Sequence, residues 1–319
     1  MKKIAVFLMS ILILTAMIAM LGGTASGCKK EDFDQAVFGA SGKRAIFIRP
    51  DGSIDPGTAP IERNGNTYTF TDDVYAPIIV DRDDVVIDGA GYTLYGTYNG
   101  TKTALPMIDL ETDQDSSNGT QVPWSVGIDV AQEIRHNLTV MNLNIKNFSI
   151  GIWVWTSNNT ITGNAITENI IGILLSASEN TIVENHIANN DQGIFFGANQ
   201  PGNLPTKTFL SRNGFLDNIR HLSGCVCEEY NETEELHTWD DGQEGNYWCD
   251  YSGSDADEDG IGDVPYVIDA LNRDRYPLMQ NVAALPTIAP KPPFELIIVA
   301  VILSLIAAVA LVAKHRKPS

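Results

Sequence analysis

The 319-residue sequence is short of several things. It has four cysteines, five scattered histidines and only 21 lysines and arginines against 40 aspartates and glutamates, a net charge of −19. With so few cysteines, a dense disulfide scaffold cannot be what holds the chain together. The shortage of base argues against nucleic acid or another anionic polymer as partner, and favours cations, high salt or simple solubility. Four of the seven methionines are Met1, Met9, Met17 and Met20, so no methionine-rich cluster remains in the body of the chain to hold a soft metal. Between the two ends of the chain helix formers are few. In their place are short β-branched runs separated by asparagine and glycine.

Two long apolar runs stand at the ends. Lys2 and Lys3 precede Ile4 to Leu21, and small residues follow to Gly27, so 1–27 reads as a secretory signal peptide. Cys28, after Ala25-Ser26-Gly27, resembles a lipoprotein box without its leading leucine. Phe294 to Ala313 is long enough for a transmembrane helix, with a Pro-rich stalk (281–293) before it and the basic tail 314–319 after it. The expectation is a type I protein of the cell membrane with an extracellular ectodomain, preceded by a linker or cap over 28–43. Without the ends and Glu295, the ectodomain carries 16 basic and 39 acidic residues.

From Asn137 to Gly197 the chain repeats every 21 residues. Gly151, Gly172 and Gly193 are each followed by isoleucine; Val140, Ile161 and Ile182 form one apolar column, and Ile145, Ile166 and Ile187 another. A fourth turn of the pattern follows at an offset of 28, with Leu210, Asn213, Phe215 and Asn218, which makes Gln200 to Lys207 a loop. A period near twenty without a leucine grid predicts an all-β fold, a right-handed parallel β-helix over 44–224. Asparagines at the bends are expected to ladder from coil to coil, since asparagine tolerates left-handed backbone angles. Earlier short strands, up to Asp88-Gly89-Ala90-Gly91, read as the first coils, which need a cap over their open edge. After Asn218 the periodicity stops, and 225–280 reads as a separate C-terminal end.

Alternation along the strand places Ile152 and Val154 inside and Trp153, Trp155, Leu174 and Phe195 outside. Trp153, Trp155 and Phe195 would then form an exposed aromatic stripe able to stack on sugar rings, unless the loop Gly96 to Pro123 packs over them. Asp255, Asp257, Asp259 and Asp263 occupy positions 1, 3, 5 and 9 of a loop with Gly260 at position 6 and the Ile261 carbonyl at position 7. That is calcium-loop spacing, although position 12 is Tyr266 rather than a bidentate glutamate, and an acidic surface turn is the alternative. Cys225 or Cys227 could bridge to Cys249, or the C-x-C could bind metal with His221 and His237.

The order Trp239-Asp240-Asp241-Gly242, Gly245-Asn246-Tyr247-Trp248, the Asp255 to Asp263 loop, Pro265-Tyr266-Val267-Ile268-Asp269 and Asp274-Arg275-Tyr276-Pro277-Leu278 closely resembles the C-terminal end of NosD-type right-handed parallel β-helix proteins of cell surfaces. The resemblance runs from about Ala45 to Met279, with Cys249 standing where a small polar residue is expected. It implies either copper handling or polysaccharide binding or processing. The outward carboxylates Glu168, Glu179, Glu184 and Asp191 have no lysine or arginine stacked with them between Lys146 and Lys207, which weighs against a carbohydrate enzyme. A non-catalytic surface protein that binds glycan or a neighbouring envelope protein is the reading the residues favour.

Overall fold

The computed structural model describes residues 45–98, 125–129, 137–197, 205–224, 237–283 and 285–286. The signal peptide, Cys28, the 28–43 linker, Cys225, Cys227, the apolar run at 294–313 and the tail lie outside them, as does most of each of the two expected loops and of the stalk. Among the described residues no helix is long and apolar enough to cross a membrane.

Regular structure among these residues is all strand, arranged in three main sheets that the chain visits in rotation. One coil is Thr139–Met141, Asn144–Lys146 and Ile150–Val154; the next is Thr160–Thr162, Ala165–Thr167 and Ile171–Leu175. Each strand pairs in parallel with its counterpart one coil away, so the order within each sheet follows the coils. Register is as expected: Val140, Ile161, Ile182 and Leu210 are neighbours in one column, and Ile145, Ile166, Ile187 and Phe215 in another. Members of both columns are at most 2% exposed. Each such side chain contributes on the order of 2 kcal/mol by burial, and the stacking makes that gain continuous along the axis. This is a parallel β-helix.

The repeated glycines have a steric cause. A Cβ on Gly151, Gly172 or Gly193 would lie 2.5–2.6 Å from the backbone carbonyl of the next coil, closer than any side chain tolerates.

Three buried asparagine ladders tie the bends together. In the longest, the backbone N–H groups of Leu143, Asn164, Asn185 and Asn213 donate to the side-chain Oδ1 of Asn164, Asn185, Asn213 and Asn246 at 3.0–3.1 Å. Each amide nitrogen donates in turn to a carbonyl of the preceding coil, as Asn164 Nδ2 does to Val140 O and Asn185 Nδ2 to Ile161 O. The parallel ladders run through Leu138, Asn159 and Asn180, and through Phe148, Asn169, Asn190 and Asn218. The first rung of each is apolar, because a ladder residue accepts from the coil before it and donates its own N–H to the coil after.

The left-handed backbone expected of asparagine lies at the residue before each rung from Leu138 to Asn218, and at Asn137, Asn142, Asn147, Asn158 and Asn189 that residue is itself an asparagine. Gly163, Glu168, Glu179, Glu184, Asn189, Arg212 and Asp217 have φ between +49° and +63°. A left-handed residue turns the chain, and the asparagine after it can then point inward.

Stacking also continues past the expected boundary at 224. His237–Thr238 pairs with Thr208–Ser211, and Tyr247–Trp248 with Gly214–Leu216, making a partial further coil. At this end Trp248 is stacked between Phe215 and Tyr266, with centroids 4.4 and 4.3 Å away. At the other end the antiparallel strands Ile54–Asp55 and Ile61–Asn64 cover the first parallel strands, while the cap expected over 28–43 lies outside the described residues.

Replacing Asn185 by leucine, the residue type of the first rung, fills the space but leaves the buried Asn164 N–H without an acceptor and removes the donor to Ile161 O. The expected loss is about 3 kcal/mol by chemical denaturation. An unchanged midpoint would show that the ladder does not stabilise the fold.

Candidate functional site

The aromatic stripe does lie outside the coils, but it is not exposed. Trp153 and Phe195 are 8% and 9% exposed and Leu174 is 1%; together with Ile150, Ile170 and Ile171 they form a second buried apolar cluster. Tyr98, Val126 and the half-buried Trp155 pack against it. The physical reason is that outward on a strand means away from the coil axis, not into water, and an apolar column there gathers its own cover. Tyr98 belongs to the segment expected to form a covering loop, of which residues 99–123 lie outside the described part. The indoles of Trp153 and Trp155 sit 4.6 Å apart at 38°, and neither buried Nε1 has a hydrogen-bond partner among the described residues. As a flat open platform for sugar rings, the stripe is corrected.

The acidic loop brings three of its expected ligand residues together. One carboxylate oxygen from each of Asp255, Asp257 and Asp259 lies within 4.8 Å of the others. The Asp255 carboxylate also accepts the N–H groups of Asp259 (3.2 Å) and Gly260 (3.0 Å), and Asp259 accepts that of Ile261 (2.8 Å). Gly260 has φ +89°, the sharp turn for which glycine was expected. Asp263 stands apart and closes the neck of the loop through Ala256 N and Ser254 Oγ. Bonds from Met279 N to Gly260 O and from Gly262 N to Pro277 O pin the loop to the segment after the last strand.

Sequence reasoning did not single out the polar groups that close the solenoid. Asp274, fully buried, takes the place of a further asparagine: its Oδ2 accepts Asn246 N at 2.6 Å and Trp248 Nε1 at 2.9 Å, and its Oδ1 accepts Tyr276 N. Burial pushes its pKa up to about 6, although every donor around it favours the charged form. Asp240, 1% exposed, is held by the Arg275 guanidinium at 3.0 Å. Their only sequence signal was membership of the W-D-x-G and D-R-Y-P-L motifs. His237 is buried between Phe196 and Trp239, its Nδ1 lacks a partner, and burial lowers its pKa to about 4.

Of the cysteine and histidine candidates, His221 and Cys249 meet: Cys249 Sγ is 3.5 Å from His221 Nε2, which is itself 3.5 Å from Asp250 Oδ1. Burial lowers the His221 pKa, partly offset by Asp250 and Asp217. Cys249 is an exposed free thiol, and His237 is not part of this group. The outward carboxylates Glu168, Glu179 and Glu184 sit one to a bend, and Glu184 is paired with Arg212.

Compared with known families, the chain is similar over residues 107–253 to the NosD model, described as a periplasmic copper-binding protein. No curated protein and no solved structure matches the chain.

The closing groups have opposite pH linkage. His237 is neutral in the folded protein, so its contribution is complete above pH 6.5 and is lost as pH falls toward 4. Asp274 takes up its proton more readily when folded, so its contribution is complete below pH 3.8 and is lost as pH rises through about 6. His237→Phe should therefore lose less melting temperature than the wild type between pH 7 and 4.5. Equal losses would place the histidine in water.

Proposed function

We propose that this NosD-type β-helix is a non-catalytic protein of the cell exterior, tethered through the apolar run at 294–313, that binds a glycan or a neighbouring envelope protein. The observation that carries this reading is the distribution of outward acids. Glycoside hydrolysis needs two carboxylates about 5–10 Å apart across one bond. Glu168, Glu179 and Glu184 are exposed singly, each at its own left-handed bend, and Glu184 is bound to arginine. A stack of coils locked by buried amides supplies a stiff surface for binding, and with the Trp153 stripe covered, binding falls to other faces. Polysaccharide arrays probed with the purified protein should retain it without generating new reducing ends. Release of saccharide would replace this reading with a lyase or hydrolase.

Copper handling is a second reading, supported by one contact. An imidazole and a thiol are the donors that suit copper, and His221 Nε2 and Cys249 Sγ are the described pair that would hold it, as Cu(I). Among the described residues no third histidine or cysteine joins them. Calcium would serve a different purpose, neutralising Asp255, Asp257 and Asp259 with the Ile261 carbonyl in support, and so bracing the C-terminal end.

One calorimetric series separates the metals. Calcium heat should vanish in the double variant Asp257→Ala, Asp259→Ala, and Cu(I) uptake under anaerobic conditions should fall in Cys249→Ser and His221→Gln. Either metal binding equally well to its variants removes that assignment.

A further inference from the structure

Three arginines among the described residues are held by carboxylates. Arg49 is paired with Asp55, Arg212 with Glu184, Asp241 and Glu244, and Arg275 with Asp240. Arg63 and Arg82 are held differently. Arg63 comes from the capping strand Ile61–Asn64, and Arg82 from the bend after Ile78–Val80, yet their guanidinium groups meet over the bare Cα of Gly52. A Cβ built there would lie 2.2 Å from both Arg63 Cζ and Arg82 Nη1. Gly52 also has φ +82°, so glycine is needed both for its backbone and for the space the two cations occupy.

Every acceptor these two arginines use is neutral. Arg63 donates from Nε to Gly65 O at 2.8 Å and from Nη1 to Asp51 O at 3.3 Å. Arg82 donates from Nη1 to Tyr68 Oη at 3.1 Å and from Nη2 to Asn66 Oδ1 at 3.0 Å. Tyr68, fully buried, is fixed by donating its own hydroxyl to Gly52 O, and Arg63 stands 5.9 Å over its ring. The Asp51 carboxylate is turned to Ser53 N and Oγ, which lower its pKa with a smaller contribution from the Arg63 charge, but it forms no ion pair with Arg63. Arg82 Nε is buried without any acceptor, and no bond uses Arg63 Nη2. Two cations whose hydrogen bonds all go to neutral acceptors repel each other, and they retain donor capacity for one more group.

We propose that Arg63 and Arg82 form an oxyanion site at the N-terminal cap of the solenoid, for a sulfate or carboxylate group, free or carried on a saccharide. A guanidinium fork matches the oxygens of such a group in geometry as well as charge. The assignment stands independently of the glycan reading above, since a free inorganic anion satisfies it.

The test is calorimetry on the full-length protein at constant ionic strength in chloride, titrated with inorganic sulfate and separately with acetate. Saturable one-to-one binding of one or both is expected, with the stronger of the two naming the ligand class. Arg63→Gln and Arg82→Gln should each weaken it about tenfold or more. Arg63→Lys, which keeps the charge and loses the fork, should also bind more weakly, while Arg273→Gln at the opposite end should bind as the wild type. Arg63 is exposed, so its variants keep the fold, and they decide the matter if Arg82→Gln melts early. No saturation above chloride, or full binding by Arg63→Gln with an unchanged melting temperature, would overturn the site.

Discussion

The need to satisfy backbone N–H groups at bends buried inside the coil governs this molecule. A strand pairs its own amides with its neighbours, but at each corner the ladder breaks and the amide of the inward residue faces the interior. Asparagine resolves this because one side chain both accepts an N–H and donates to a carbonyl. Stacked one per coil, each serves the coil before it, as Asn164, Asn185 and Asn213 do in turn. The arrangement makes every coil depend on the next, so the solenoid must end in a group that accepts without needing an acceptor after it. Asp274 is such a group, and its burial follows from the role.

The same requirement explains why the C-terminal end is crowded with polar groups. Asn246, Asp274, Asp240 with Arg275, and Trp239 Nε1 with Asn272 Oδ1 replace coil-to-coil bonds that a further repeat would have made. Aromatic rings, Phe215, Trp248 and Tyr266, shield them from water. Candidate chemistry gathers here also, with the His221 and Cys249 contact and the Asp255 loop on the margin of this closure. The N-terminal cap solves its edge differently, with antiparallel strands and a buried tyrosine, and it is there that two arginines are left without a carboxylate.

Much of the architecture was legible in the chain itself, because a fixed period writes the same contacts several times. The 21-residue spacing identified the columns through Ile145 and Val140, the inward and outward faces, and the fourth coil after a longer bend. Legibility failed where the period ended. Asn246 is a ladder rung like Asn213, but it follows after 33 residues and carries no repeating neighbours, so only the pairing of Tyr247–Trp248 revealed it. The acidic loop was readable because its ligands are close in sequence; that Asp263 turns to the neck was not.

Sequence alone therefore determined what depends on local order and repetition: the strand alternation, the solenoid, and the spacing of Asp255, Asp257 and Asp259. Tertiary structure decided what depends on which surfaces meet. Trp153 and Phe195 point outward by alternation, and their burial came from neighbours on the sheet's outer face. Likewise Arg63 and Arg82, or His221 and Cys249, lie 19 and 28 positions apart with no shared motif. Their meeting is set by the stacking of coils, which turns distance along the chain into adjacency in space.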